Sequence, residues 1–209
     1  MKVLLVNGSP HKNGCTFTAL TEVASELEKA GIETEIFQMG SSNIRGCNGC
    51  GVCGRNQNGR CVHDDDAVNA LLEKAETCDG FVVGSPVYYA SPNGSLLALL
   101  DRAFYAGNSF AYKPAAAVVS ARRAGTTASL EVLNKYFTIS NMPVVSSKYW
   151  PMVHGNCAEE AKQDLEGMQI MRTLGRNMAW LLKSIEAGRK AGIELPQPEE
   201  VNQRTNFIR

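Results

Sequence analysis

The sequence predicts an α/β fold in three layers, with a doubly wound parallel sheet whose five strands are ordered 2-1-3-4-5. Strand and helix patterns alternate five times along the 209 residues. The run at 80–84 is nearly all apolar, which is typical of a parallel strand covered by helices on both faces. Loops rich in glycine, proline and small polar residues follow the strands, where open α/β sheets bind their ligands.

Composition limits the classes of function. Hydrophobic residues make up 44% of the chain, enough for one core, and 21 basic residues balance 21 acidic ones. A net charge of zero argues against nucleic acid or an anionic membrane as partner. The chain begins directly with a strand pattern, leaving no room for a signal peptide, and has no apolar run of bilayer length, so we expect a cytoplasmic protein.

Each element has its own pattern. Short apolar or alternating runs predict strands at 3–6, 32–37, 80–84, 115–119 and 143–145. Helical spacing predicts a helix that closes at Gly31, one at 68–75 behind three aspartates, one from about Pro92, one capped by Thr126 or Thr127, and a long one at about 158–187. We expect one domain over 1–190, with a cysteine-rich loop at 40–63, and an extended tail over 191–209.

The loop after the first strand predicts a phosphate site. Backbone N–H groups and hydroxyls at a helix N-terminus bind anions, and here Ser9 and Thr16 supply hydroxyls beside the cations of His11 and Lys12. A dinucleotide fingerprint is excluded by the glycine spacing, and a P-loop by the absence of its lysine after the last glycine. What is left suits a monophosphate held without magnesium. The alternative is an ordinary strand–helix turn.

Two further loops extend this prediction. Tyr88 and Tyr89 follow the third strand and offer flat surfaces next to the phosphate loop, at the topological switch point. The loop at 120–125 follows the fourth strand, where backbone N–H groups and Arg122 or Arg123 can meet the polar edge of a ring. The alternatives are tyrosines that merely cover the sheet edge and arginines that form an ordinary solvated pair.

Over residues 1 to about 150 the chain resembles the NADPH-dependent FMN reductase family of flavodoxin-like proteins. The resemblance rests on Gly-Ser-Pro at 8–10, Gly-Cys-Thr at 14–16, Ser-Pro-Val-Tyr at 85–88 and Leu-Asp-Arg at 100–102, and the ending at 205–209 is also similar. It implies an FMN phosphate surrounded by Ser9, His11, Cys15, Thr16 and Phe17. It implies an isoalloxazine ring lined by Pro86, Val87, Tyr88 and Tyr89, with Ser120, Ala121, Arg122 and Gly125 near its far side. The chain departs from the family at His11 and Cys15, where arginine and asparagine are common.

Four of the seven cysteines crowd into one loop, as Cys47-x-x-Cys50-x-x-Cys53-x7-Cys61. This compact spacing suits an iron–sulfur cluster better than zinc, whose structural sites usually use two separated pairs. The loop resembles the cysteine motif of iron–sulfur flavoproteins, a branch of the same family, which implies a [4Fe–4S] cluster. The alternatives are cysteines that pack the loop, as in flavin-only relatives, or a disulfide. We expect Cys78 to be a packing residue and assign no role to Cys157.

The resemblance implies an oxidoreductase in which NAD(P)H reduces bound FMN and a second acceptor receives the electrons. FMN carries this chemistry, so we expect no catalytic side chain. With a cluster the acceptor is a one-electron partner such as a ferredoxin; without one it is a quinone, nitro or azo compound, free flavin or oxygen. The alternatives are a flavodoxin-like electron carrier without turnover and a zinc-stabilised scaffold without flavin. Because isolated domains of this family leave one flavin face open, we expect a homodimer or homotetramer.

Overall fold

The computed structural model describes residues 1–41 and 43–197. Its strands are β1 (Lys2–Asn7), β2 (Glu33–Gln38), β3 (Gly80–Tyr88), β4 (Ser91–Pro92), β5 (Ala115–Ala121) and β6 (Met152–His154). Its helices are α1 (Cys15–Lys29), α2 (Val52–Asn56), α3 (Val68–Glu76), α4 (Gly94–Ala106), α5 (Thr126–Ile139), α6 (Ala158–Gln163) and α7 (Leu165–Lys190). The end of the chain, including the predicted tail motif at 205–209, lies outside the described residues.

The main sheet is parallel and has the order β2-β1-β3-β5-β6, while β4 pairs antiparallel with β3 alone. Counting the parallel strands only, this order is 2-1-3-4-5, and the predicted topology is confirmed. Successive side chains of β1 alternate between two buried clusters. Leu4 and Val6 face α3, α4 and α5, whereas Val3 and Leu5 face α1 and α7. The sheet is therefore covered on both faces, as its apolar strands predict.

The prediction of the fifth strand at 143–145 is wrong. Val144 makes a single bridge to Ala115 at the beginning of β5, and the chain then leaves the sheet. Pro143, which has no N–H to donate, contributes only its carbonyl oxygen, at 2.9 Å from the Ala115 nitrogen. The strand that pairs with the end of β5 is Met152–His154.

The long C-terminal helix predicted at about 158–187 is confirmed as α7, but Asp164 separates its first residues as the short helix α6. The backbone of Asp164 is not helical, with φ −71° and ψ 79°. Its carboxylate accepts hydrogen bonds from the backbone N–H of Gly167 at 2.9 Å and of His154 at 2.7 Å. Asp164 therefore caps α7 and ties its first turn to β6.

The helix starts differ in how they are capped. Asn93 caps α4, its side chain accepting the Ser95 N–H at 3.1 Å. The predicted threonine cap of α5 is wrong, because Gly125 occupies the cap position at φ 92° and Thr126 is already the first helical residue.

Among the described residues, no helix is long and apolar enough to cross a membrane.

We predict that Gly8→Ala destabilises the protein by about 1–3 kcal/mol, the usual range for overpacking. A Cβ at this position would lie 2.7 Å from the Gly84 carbonyl oxygen and 2.4 Å from Leu96 Cδ2. Urea unfolding measures the change. Gly94→Ala is the matched control, because a Cβ there meets nothing within 4 Å. Equal free energies of unfolding for the two variants would contradict the close approach at Gly8.

Candidate functional site

The loop between β1 and α1 presents the beginning of a long helix to solvent. Gly14 occupies the cap position with extended backbone and no side-chain hydrogen bond to the first turn. The first N–H groups of α1 have no acceptor within their own helix, so they carry partial positive charge toward the loop. His11 and Lys12 are exposed beside them. This is the arrangement that binds phosphate groups.

The two hydroxyls predicted to contact phosphate are buried and brace the loop. Ser9 Oγ accepts the His11 N–H at 3.1 Å, and the Ser9 N–H donates to Asn7 Oδ1 at 3.2 Å. Thr16 shares a 2.8 Å hydrogen bond with the hydroxyl of Ser120, at the end of β5. The first loop is therefore held in shape from its own strand and from a second strand of the sheet.

Cys15 and Phe17 are half-buried in the first turn of α1. The Cys15 thiol donates to the Gly155 carbonyl oxygen at 3.4 Å, which ties α1 to the segment that follows β6. Burial raises the pKa of this thiol, and the nearby Cys157, Glu160 and Glu159 raise it further. Cys15 is therefore a neutral thiol at neutral pH, and the positive charge of this region comes from the helix end and from the exposed Lys12.

The first and second loops are in direct contact. The Gly8 N–H donates to the Gly84 carbonyl oxygen at 2.8 Å. The buried Asn93 side chain donates to the Gly8 carbonyl oxygen at 2.8 Å, while its backbone N–H donates to Ser85 Oγ at 3.0 Å. The predicted adjacency of these loops is confirmed. Sequence reasoning missed the part of Asn93 in it, although asparagine before an apolar helical run is a capping signal.

Beyond the sheet, β3 turns back on itself as β4 and forms a hairpin over 88–91, in which Tyr88 pairs with Ser91. The two turn residues, Tyr89 and Ala90, have φ of 51° and 57°. A turn with both φ values positive is the I′ type, which favours glycine or asparagine, so the backbone is strained at Tyr89. The Tyr89 side chain is fully exposed and that of Tyr88 is 41% exposed. Tyr89 therefore does not serve as a cover for the sheet edge.

The third loop packs against this hairpin. A Cβ at Gly125 would lie 2.7 Å from Ala90 Cα and 2.9 Å from Val87 Cγ1. Upstream, Pro86 and Ser120 are register partners in β3 and β5. Ala121 is buried, whereas Arg122 and Arg123 are exposed. All three predicted loops therefore meet at the carboxyl edge of the sheet.

The four cysteines of the loop all line one small pocket. Cys47 and Cys50 are exposed, and Cys53 and Cys61 are partly exposed, which does not suit residues that only pack a loop. All seven cysteines lie among the described residues and all are free, so the disulfide alternative is not supported. No three His, Cys, Asp or Glu side chains of the described residues are grouped to hold a single metal ion. Four thiols on one pocket are nevertheless the donor set that iron–sulfur clusters use.

A buried arginine that the sequence did not predict holds this loop. The side chain of Arg102, in α4, is 1% exposed and forms an ion pair with Asp66, whose side chain is 2% exposed. Burial alone would raise the pKa of the Asp66 carboxyl. Hydrogen bonds from Arg102 and from the backbone N–H groups of Val68 and Arg45 outweigh burial, and the pKa lies below its ordinary value. The pair is therefore charged at neutral pH.

A separate cavity lies away from these loops. It has a volume of about 340 Å³ and lies between α5 and the segment 144–151, where the predicted strand at 143–145 does not form. Leu130, Val144 and Trp150 are among its lining residues. None of the predicted flavin or cysteine residues lines it.

Comparison with known proteins fits this geometry. The model of the NADPH-dependent FMN reductase family matches residues 1–156. An iron–sulfur flavoprotein from Methanocaldococcus jannaschii is 30% identical over 196 residues, covering 89% of this chain and 100% of that protein. An iron–sulfur flavoprotein from Methanosarcina thermophila is 31% identical over 198 residues, covering 90% and 99%.

The fold also recurs among solved structures. An NAD(P)H:quinone oxidoreductase from Methanothermobacter marburgensis superposes with a TM-score of 0.64 at 15% identity, over 85% of this chain and 98% of that one. An identity this low shows a shared fold and nothing more. The family model and the full-length relatives place the chain among the NADPH-dependent FMN reductases, a flavodoxin-like family of FMN-binding oxidoreductases.

Proposed function

We propose that this protein takes electrons from NAD(P)H through bound FMN and passes them to a second acceptor by way of a [4Fe–4S] cluster. The observation that carries the flavin part is the contact between the first two loops, where Asn93 holds the Gly8 carbonyl oxygen at 2.8 Å. That contact brings a helix N-terminus and a pair of exposed tyrosines to the same edge of the sheet. An anionic tail and a flat ring are the two features of FMN that these groups fit.

In this proposal the chain binds and orients the cofactor. The first turn of α1 receives the phosphate, with Lys12 adding positive charge and the exposed His11 ring offering an N–H donor. The hairpin and the third loop flank the ring, where Tyr88 and Tyr89 offer aromatic surface and Arg122 lies at the exposed edge. When bound, FMN accepts hydride and releases electrons singly or in pairs.

The cluster part of the proposal rests on Cys47, Cys50, Cys53 and Cys61. Their thiols line one pocket, in a loop whose glycines adopt positive φ at Gly49 and Gly51 and so allow tight turns around a bulky group. Two relatives that match nearly their whole length are named iron–sulfur flavoproteins. A cluster transfers one electron at a time, so we propose a one-electron acceptor of the ferredoxin type.

The first test asks whether the protein turns over nicotinamide. We expect NADPH or NADH, added without oxygen to the flavin-loaded protein, to bleach the visible absorbance of FMN within seconds. Stopped-flow absorbance measures the rate. A flavin that dithionite bleaches and neither nicotinamide does would identify the protein as an electron carrier and overturn the enzyme proposal.

The second test concerns the cysteines. We expect about four iron atoms and matching sulfide per wild-type chain after purification without oxygen, and less than about one iron in Cys50→Ser. We expect Cys50→Ser to keep the wild-type FMN content, because the cysteine loop is separate from the flavin loops. Cys157→Ser, an exposed cysteine outside the loop, keeps the wild-type iron content. Wild-type protein that carries flavin and no iron would refute the cluster and leave the flavin proposal intact.

The third test separates strain from binding at the hairpin. We expect Tyr89→Asn to raise the free energy of unfolding of flavin-free protein by up to about 1 kcal/mol, since asparagine tolerates positive φ. It weakens FMN binding roughly fivefold, the value of one lost aromatic contact of about 1 kcal/mol. Chemical denaturation and fluorescence titration measure the two effects.

Tyr112→Asn is the matched control, because Tyr112 also has positive φ, 65°, and precedes β5 at the opposite edge of the sheet. It relieves the same strain and leaves FMN affinity at the wild-type value. Unchanged affinity in Tyr89→Asn would show that this ring takes no part in holding FMN.

A further inference from the structure

The guanidinium group of Arg102 forms hydrogen bonds to both ends of the cysteine loop. Arg102 Nη1 donates to the Arg45 carbonyl oxygen at 3.1 Å, just before the first cysteine, and pairs with Asp66. Arg102 Nη2 donates to the His63 carbonyl oxygen at 2.6 Å, just after the last cysteine. Its Nε points at Cys61 Sγ, 3.3 Å away. Every hydrogen bond described for this side chain goes to the segment 45–66.

Because the Arg102 guanidinium is buried, the directions of its hydrogen bonds are fixed. With its side chain 1% exposed, Arg102 cannot exchange these acceptors for water. Asp66 neutralises its charge, and two carbonyl oxygens occupy further N–H groups, so the Nε–H that faces sulfur is held in one direction. Lysine would not reproduce this fork, because an ammonium group is a single point with no planar spread of donors.

We propose that Arg102 is a positioning residue for the cluster: it fixes Cys61 at the pocket and donates a hydrogen bond to its sulfur. The inference rests on the proposed function, in which Cys61 is a ligand. Hydrogen bonds to ligating sulfur and the charge close to it set the reduction potential of iron–sulfur clusters. A donor on sulfur stabilises the more negative, reduced form, so Arg102 favours acceptance of an electron by the cluster.

The first variant, Arg102→Lys, keeps a positive charge for Asp66 and loses the directed donor to sulfur. We expect iron and sulfide per chain to stay within twofold of wild type. We expect the equilibrium constant for cluster reduction to fall about tenfold, the value of one charge-assisted hydrogen bond, which is about 59 mV for a one-electron couple. An anaerobic dye titration followed by electron paramagnetic resonance measures this potential.

A second variant is expected to shift the cluster potential in the opposite direction. Asp66→Asn keeps Arg102 and its donor to Cys61 while leaving the guanidinium charge unneutralised, so the cluster potential rises. A purely structural role would not send the two variants in opposite directions. Circular dichroism shows whether Arg102→Lys folds. If it does not, the cluster potential of Asp66→Asn alone tests the inference. A cluster potential at or below the wild-type value in Asp66→Asn would then overturn the inference.

The control is Arg55→Lys, an exposed arginine of the same loop whose guanidinium contacts the Cys50 carbonyl oxygen at 3.4 Å. We expect its cluster potential to equal that of wild type. Iron content of the wild type is measured first, so a protein without iron refutes the proposed cluster and not the arginine contact. With iron present, equal potentials in wild type, Arg102→Lys and Asp66→Asn would overturn the inference.

Discussion

The close approach of the chain at Gly8 is the constraint on which the candidate site depends. No side chain fits between β1, β3 and α4 at this point, where a Cβ would meet Gly84 and Leu96. Because the backbones are this near, one asparagine can cap α4 and hold the first loop at the same time. Small residues at two strand ends and the Asn93 cap thus bring the first loop and the hairpin over 88–91 to one edge of the sheet.

Much of this fold follows from the sequence, because its buried strands and helix stripes have clear periods. The pattern failed where local chemistry competes with hydrophobicity. The apolar residues at 143–145 satisfy the strand pattern, yet a single bridge to Ala115 is all they form. The helical pattern at 158–187 continues through Asp164, whose carboxylate interrupts the helix by accepting two backbone N–H groups. Hydrophobic periodicity alone predicts neither the missing strand pairing at 143–145 nor the break at Asp164.

In the candidate site, too, some features follow from the sequence and others do not. Loop positions were predictable, since parallel topology brings the carboxyl ends of strands together. The partners of particular side chains were not, because they lie far apart in the chain. Thr16 meets Ser120 across 104 residues, and Arg102 meets Arg45 across 57. In sequence, Leu-Asp-Arg at 100–102 reads as part of an amphipathic helix, and only the fold shows that its arginine points inward to an unusual set of acceptors.

The helix α4 has a consequence for the distance between the two proposed cofactor positions. The helix begins at Asn93, which holds the first loop, and nine residues later it carries Arg102, which contacts Cys61 and the ends of the cysteine loop. At a rise of about 1.5 Å per residue this separation is about 13 Å along the axis. A helix is a stiff spacer, whereas the loops at either end are not. In the proposed function, the part of the electron path that α4 spans within one chain therefore has a length set by the backbone hydrogen bonds of this helix.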